Sequence, residues 1–185
     1  MKDVELRLIS ELMKNSRRSD RELAKIIGVS QPTVSRMLKR LVEEGFIKEF
    51  TIVPDFKKLG FQIMAIVQTK MKEEVDPDTV EELRRKVRED QEKDPAPILM
   101  AKNGIGADTD RVSILLAENY SDCSKYMSMI RQYPLIEVEE VGSFIIDLND
   151  ENLFMPLSFS NLAAYLEKKQ SESPAEQNTH PSPNH

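Results

Sequence analysis

Between Ser19 and Gly45 the chain spells out two helices with only three residues to join them, and this spacing limits the fold more than any other feature. Ser19 is followed three positions on by Glu22, the Ser-x-x-Glu pattern in which cap and third residue satisfy each other's free backbone N–H groups. The helix it opens is short, with Leu23, Ile26 and Ile27 as its apolar side, and it stops at Gly28, a residue free to take the left-handed conformation of a helix end. Gly28-Val29-Ser30 is the whole connection. Ser30 caps the next helix and Pro32 sits in its first turn, where a missing N–H costs little. Val34, Met37, Leu38, Leu41 and Val42 supply its apolar stripe, and Gly45 ends it. Ahead of this pair, residues 2–14 repeat at helical spacing: Val4, Leu8 and Leu12 form a stripe that Leu6, Ile9 and Met13 widen, with Glu5, Arg7 and Glu11 expected to face outward. The reading is a helix-turn-helix with a supporting helix before it.

In such a unit the last helix packs its back on the domain and offers its front to the major groove of DNA, N-terminal end first. Off the apolar stripe stand Gln31, Thr33, Ser35 and Arg36, the candidates for base readout: Gln suits an adenine edge, Arg a guanine edge, and Thr a hydroxyl contact or a thymine methyl. Lys39 and Arg40 lie further along and are expected to meet phosphate, as are Arg17 and Arg18 in the first loop and Lys48 beyond the helices. The Ser30 hydroxyl and the free N–H groups beside it complete the phosphate set. Charge distribution agrees. The chain is net −6, yet residues 1–60 carry 13 basic and 9 acidic side chains while the remainder is net −10. A basic first third can bind DNA while the acidic remainder faces elsewhere. The plainer alternative is that the helix pair is only structural, and Glu43 and Glu44 at its end lean that way.

Phe46 to Pro54 is rich in branched and aromatic residues and predicts a short hairpin or wing; Asp55 to Gly60 is a polar connector. From Phe61 the period changes. Strands are predicted at Phe61–Met71 (apolar on both parities), Ile98–Lys102, Arg111–Glu118 and Ile136–Leu148, the last with Val138, Phe144, Ile146 and Leu148 on one parity. A helix begins at Asp76-Pro77, another at Ser121, and Asn103–Asp110 is a turn region. The order βαββαβ is a ferredoxin-like unit, making the class α+β. Phe159, Leu162 and Leu166 mark one more amphipathic segment, and from Glu167 the composition predicts disorder. The expected organisation is therefore 1–54 DNA-binding, 55–60 linker, 61–148 pairing domain, 149–166 amphipathic segment and 167–185 tail. Apolar residues on both faces of the first strand imply a partner for the open sheet face, and a second copy is the simplest one. A single cysteine, Cys123, excludes an internal disulfide and the usual cysteine-based zinc site, and reads as a small buried hydrophobe. No apolar run approaches membrane-spanning length and no secretory leader is evident, so a cytoplasmic protein without cofactor or metal is expected.

Asn15, Arg17, Ser19, Glu22-Leu23-Ala24, Gly28-Val29-Ser30, Arg36, Arg40-Leu41, Gly45-Phe46-Ile47 and Leu59-Gly60 fall in the order of a known pattern. Through them the chain resembles the leucine-responsive regulator/AsnC family of prokaryotic transcription regulators over residues 2 to about 148. The resemblance implies a winged helix-turn-helix followed by a RAM-type βαββαβ domain, dimers that can build into larger oligomers, and double-stranded DNA as partner. It also implies an amino-acid effector loop, for which Gly104, Gly106, Asp108 and Asp110 are the candidates. The family's Gly-x-x-Asp turn is not reproduced there: aligning Asp110 puts Ala107 in the Gly position, and aligning Gly106 puts Thr109 in the Asp position. Some relatives are siroheme decarboxylases that lean on histidines in the second domain. Here no histidine occurs before His180, the other being His185, so an enzyme is not expected. A ligand-sensing or scaffold oligomer with a silent helix-turn-helix is the alternative.

Overall fold

The computed structural model describes residues 2–72, 75–106, 108–134, 137–152 and 155–172. Among them the elements run α1 (Asp3–Lys14), α2 (Asp20–Ile27), α3 (Gln31–Glu43), β1 (Ile63–Met71), α4 (Pro77–Lys93), β2 (Ile98–Gly106), β3 (Thr109–Ala117), α5 (Tyr120–Arg131), β4 (Val138–Asp147) and α6 (Ser160–Glu172). They form two compact units, one from the described residues of Met1–Val53 and Met155–His185, the other from those of Pro54–Phe154. Among the described residues no helix is long and apolar enough to cross a membrane.

In the first unit the caps form as the sequence dictates. Ser19 Oγ accepts from the Glu22 N–H at 3.3 Å while the Ser19 N–H donates to Glu22 Oε2 at 2.8 Å. Gly28 ends α2 with φ +78°, a conformation that a side chain would strain. Leu8, Leu23, Val34 and Leu41 are fully buried and, with Ala24 and Ile27, form one core shared by α1, α2 and α3. Burial of each large side chain contributes about 1.5–3 kcal/mol.

Three expectations about sidedness need correction. Glu5 was expected to face water, but it is only 5% exposed and its carboxylate pairs with the Arg40 guanidinium. At roughly 100° per residue, position 5 falls in the middle of the Leu8–Leu12–Ile9 stripe, so α1 has no outward direction to give it. Ile26 was expected inside and is exposed, as is Val42, which the same geometry places between Gln31 and Ser35 on the outer face of α3.

α6 packs on α1. Ser10 of α1 and Ala163 of α6 are both fully buried, small enough for two helices to lie close, and Lys14 Nζ meets Glu167 Oε1 at 2.6 Å. The helix therefore continues through Glu172, past the predicted start of disorder at Glu167. A polar sequence stays ordered there because a partner helix receives it and Lys168 can reach Glu172, 3.5 Å away. The remainder of the predicted tail, with His180 and His185, lies outside the described residues, as do Ala107 and Ile136.

Phe46 to Val53 is not a paired hairpin. The segment has no regular secondary structure, and Phe46, Phe50, Ile52 and Val53 are exposed. It contains no turn residue at which it could fold back on itself, so it is a single unpaired run in the wing position.

The second unit is a four-stranded antiparallel sheet of order β2-β3-β1-β4. α5 lies on β1, β3 and β4. Its Cys123, Tyr126, Met127 and Ile130 pack on Ala65, Val67, Leu115 and Ala117, and burial pushes the Cys123 thiol up. The opposite parity faces away from α5. There Met100, Ile114, Ile66 and Phe144 align in one row across all four strands, and Leu116, Met64 and Ile146 form the next. Val138 does not share this face: a register shift between Lys70 and Met71 sets it opposite buried Met71, against the parity expected from sequence. The predicted turn region 103–110 is mostly strand, for β2 runs to Gly106 and β3 begins at Thr109.

The Glu5–Arg40 contact generates a stability test. Because Arg40 keeps partial contact with water, Glu5→Ala should lower the unfolding free energy by only about 1–3 kcal/mol in urea denaturation. Glu5→Gln, which retains shape and hydrogen-bonding capacity, should cost less. Equal stability of wild type and Glu5→Ala would remove the pair from the list of what positions α3.

Candidate nucleic-acid interface

The N-terminus of α3 is held by its own hydroxyl pair. Ser30 Oγ lies 2.8 Å from Thr33 Oγ1 and accepts from the Thr33 N–H at 3.4 Å. Both hydroxyls are therefore occupied locally, and Ser30 supports the helix entry more than it offers a free phosphate ligand. Gln31, Ser35 and Arg36 are exposed along the outer arc of α3; Thr33 is half-buried at its flank. Arg36 folds back over the first turn, its Nε donating to the Pro32 carbonyl at 3.3 Å and its Nη2 to Thr33 Oγ1 at 3.5 Å. Both bonds are long and solvent-reached, so the guanidinium can exchange them for a base edge at small cost. Lys39 follows on the same arc, its ammonium 3.8 Å from the Glu43 carboxylate with both groups exposed.

The expected phosphate ligands divide into two sets. Arg17 and Lys48 are exposed, and among the described residues no carboxylate pairs with either. Arg18 and Arg40 are otherwise engaged. Arg18 bonds the Glu11 carbonyl at 3.0 Å and pairs with the Glu11 carboxylate, tying the first loop to α1. Burial works to raise the Glu11 carboxyl, but the hydrogen bonds and charges of Lys14 and Arg18 outweigh it and hold the group below its ordinary value of 4.5. Arg40 joins α3 to Glu5 of α1 and has Glu44 3.7 Å away. These two cations tie α1 to the first loop and to α3; Arg17 and Lys48 are exposed without a carboxylate partner among the described residues, and Lys39 has only the exposed Glu43 near it. Arg21 and Lys25, exposed on α2 and without a carboxylate partner among the described residues, belong with Arg17 and Lys48. The signal for them was present, since both fall off the Leu23–Ile27 stripe of a helix that precedes a recognition helix.

The candidate effector loop is a tight β2–β3 hairpin closed by the Gly106–Thr109 pair. The Thr109 hydroxyl donates to the Gly106 carbonyl at 2.7 Å, and Asp108 takes φ +54°. Asp108 pairs with Lys70, and that hydrogen bond raises the Lys70 pKa. Asp110 accepts from the Met71 N–H at 2.8 Å. Gly104 lies within β2. The carboxylates of the loop are thus already committed to β1.

Comparison with known proteins agrees with this geometry. The winged helix-turn-helix DNA-binding family matches residues 1–48. The helix-turn-helix-type transcriptional regulator PH0061 of Pyrococcus horikoshii is 31% identical over 151 residues, covering 77% of this chain and 95% of its own. Ptr1 of Methanocaldococcus jannaschii, also a helix-turn-helix-type transcriptional regulator, is 31% identical over 135 residues, 73% of this chain and 84% of its own. LrpC of Bacillus subtilis is 41% identical over 69 residues, 37% of this chain and 48% of its own. The crystal structure of PH0061 superposes with a TM-score of 0.65 at 26% identity, over 85% of this chain and 98% of that one. LrpC gives a TM-score of 0.63 at 24% identity over 84% and 99% respectively, a likeness of fold. The chain is a DNA-binding transcription regulator and belongs to the leucine-responsive regulator/AsnC family.

Proposed function

We propose that the protein binds DNA sequence-specifically as a homodimer or higher homo-oligomer in the cytoplasm, with residues 1–54 reading a near-palindromic site and residues 61–148 pairing the subunits. The observation that carries the DNA half is the exposed arc Gln31–Ser35–Arg36–Lys39 on a helix whose other side is fully buried. Gln31, Thr33, Ser35 and Arg36 read bases; Arg17, Lys39 and Lys48 hold phosphate, joined by the Gln31 N–H at the start of α3. A dimer presents two such helices to half-sites about 34 Å apart or a multiple of that.

The pairing half rests on the apolar row Met100–Ile114–Ile66–Phe144 with Met64 and Ile146 beside it, which no helix among the described residues of the second unit covers; Leu116, in register with Met64, is already buried. Phe144 is 65% exposed in the single chain. A contiguous apolar face of this kind is costly in water and is relieved by the same face of another copy. The hairpin at 104–110 reads as a structural turn, since its carboxylates already serve β1. A regulator without catalytic activity fits the relatives, and the absence of any histidine before His180 supports it.

Three outcomes test this reading. Arg36→Ala should lose about 1–3 kcal/mol of discrimination at one base pair in competition binding; unchanged discrimination would remove Arg36 from base readout. Arg17→Ala and Lys39→Ala should weaken binding to all sequences alike, each flattening the slope of log affinity against log salt by about one unit. A slope equal to wild type would count against phosphate contact. In sedimentation, Phe144→Lys should shift the full chain to monomer. A mutant that sediments as wild type would place the subunit interface elsewhere.

A further inference from the structure

The helix side of the sheet holds a feature that neither DNA binding nor subunit pairing uses. Between α4, α5 and the sheet lies a cavity of about 1260 Å³, open to solvent along the exposed Ala101; common ligand pockets hold roughly 300–1,000 Å³. The residues beneath it account for the space. Where an α/β layer ordinarily sets Val, Ile or Leu against its helices, β1, β2 and β3 present Thr69, Ala101 and Ser113. Thr69 and Ser113 are buried hydroxyls on the same side as the α5-packed residues Ala65 and Val67. These side chains are too small to reach α4, and the apolar core of the unit, made by the sheet and α5, includes no α4 residue among those described. α4 instead forms one wall of the cavity with Leu83 and Val87, facing Tyr126 and Ile130 of α5. At the α5 end it is tied down by Tyr133, whose hydroxyl donates to Asp90 Oδ2 at 3.1 Å; burial, then the hydrogen bond to Asp90 and its charge, push that phenol up to about 12.

Charge decides what such a space would hold. Of the other charged groups in the lining, Asp90 is matched by Lys86 and Lys125 by Asp122, while Lys93 and Asp94 contribute one charge of each sign. Arg111, set between Thr69 and Asn103 in the register, also lines the cavity, and its Nε donates to Asn103 Oδ1 at 3.2 Å. No carboxylate among the described residues pairs with this guanidinium; Thr69, its register partner, and Ser113 carry hydroxyls on the same side of the sheet, that of Ser113 meeting the Tyr126 phenol. A planar cation beside hydroxyls, at the edge of apolar walls, has the donor set for a carboxylate whose body is hydrocarbon.

We propose that this cavity is a binding site for an apolar-bodied monocarboxylate, with Arg111 receiving the carboxylate and Leu83, Val87, Tyr126 and Ile130 enclosing the chain. The site is separate from the 104–110 hairpin and does not rest on the reading of α3. Three of the four tyrosines, Tyr120, Tyr126 and Tyr133, line the cavity and the chain has no tryptophan, so tyrosine emission reports on occupancy.

The test titrates the full-length protein with octanoate and, separately, with its neutral counterpart 1-octanol, following tyrosine fluorescence and calorimetric heat. Octanoate should bind saturably. Arg111→Gln should weaken octanoate about tenfold, the scale of one lost charge-assisted contact, and leave octanol unchanged. Arg111→Lys, which keeps the charge, should retain most of the affinity, and Ala101→Leu, which fills the floor, should weaken both ligands. Thermal unfolding of each variant without ligand checks that it is folded. Absence of saturable octanoate binding to the wild type would overturn the proposal. So would equal weakening of octanoate and octanol by Arg111→Gln, or octanol binding the wild type as tightly as octanoate. DNA affinity, measured on the same variants without ligand, tests the other reading independently.

Discussion

A carboxylate in the middle of an apolar stripe fixes the geometry of the DNA-binding unit. Glu5 cannot leave α1's buried side, and a buried charge must be paired or pay several kcal/mol of desolvation. Arg40, on the flank of α3, meets that need and binds the supporting helix to the recognition helix at one defined position. Leu8, Leu23, Val34 and Leu41 would drive α1, α2 and α3 together in several registers, since apolar contact is non-directional. The ion pair and the three-residue turn at Gly28–Ser30 select one. The outer arc of α3 is then presented because its inner arc has nowhere else to go.

The sheet of the second unit is asymmetric in a way that separates its tasks. One face carries long apolar side chains in rows and calls for a flat partner of the same kind. The other is filled under α5 but floored with Thr69, Ala101 and Ser113 under α4. Exchanging the two residue sets would give a closed core and a polar outer face, the usual way to make a monomer. The observed placement keeps an apolar surface outside and a roomy space inside, so association and ligand binding would act on opposite sides of the same strands. β1 belongs to both: Ile66 and Met64 face one side, Val67 and Thr69 the other.

The sequence made the capped helices and the strand order legible because both are local. Ser19-x-x-Glu22, Gly28 and Pro32 act within a turn or two, and the βαββαβ order follows from runs of alternating residues. What it concealed was non-local. Phe159, Leu162 and Leu166 mark an amphipathic segment, but from Glu167 the sequence reads as a polar tail, and only contact with α1 explains why α6 continues to Glu172. The parity of Val138 depends on a register shift opposite Lys70, which no pattern within β4 records. Glu5 and Val42 differ in kind: helical spacing alone gives their angular positions, and residue type points the opposite way. The cavity was the least legible feature, since Thr69, Ala101, Arg111 and Ser113 become neighbours only through pairing of three strands.

The same distinction between composition and placement governs the cations. A count of basic residues in the first 60 positions treats all 13 alike, yet those already paired inside the fold add little to counterion release, because their field is largely cancelled before DNA arrives. Arg18, Arg40 and Lys14 are of this kind, held by Glu11, Glu5 and Glu167. Lys39 is not, although Glu43 is nearby: a pair 3.8 Å apart and exposed at both ends is worth little in water and yields to a phosphate. The cations expected to grip the backbone are therefore those the fold leaves without a buried carboxylate. Glu43 and Glu44, which look unfavourable in a DNA-binding helix, lie at the end of α3 remote from its N-terminus, where they accompany Lys39 and Arg40.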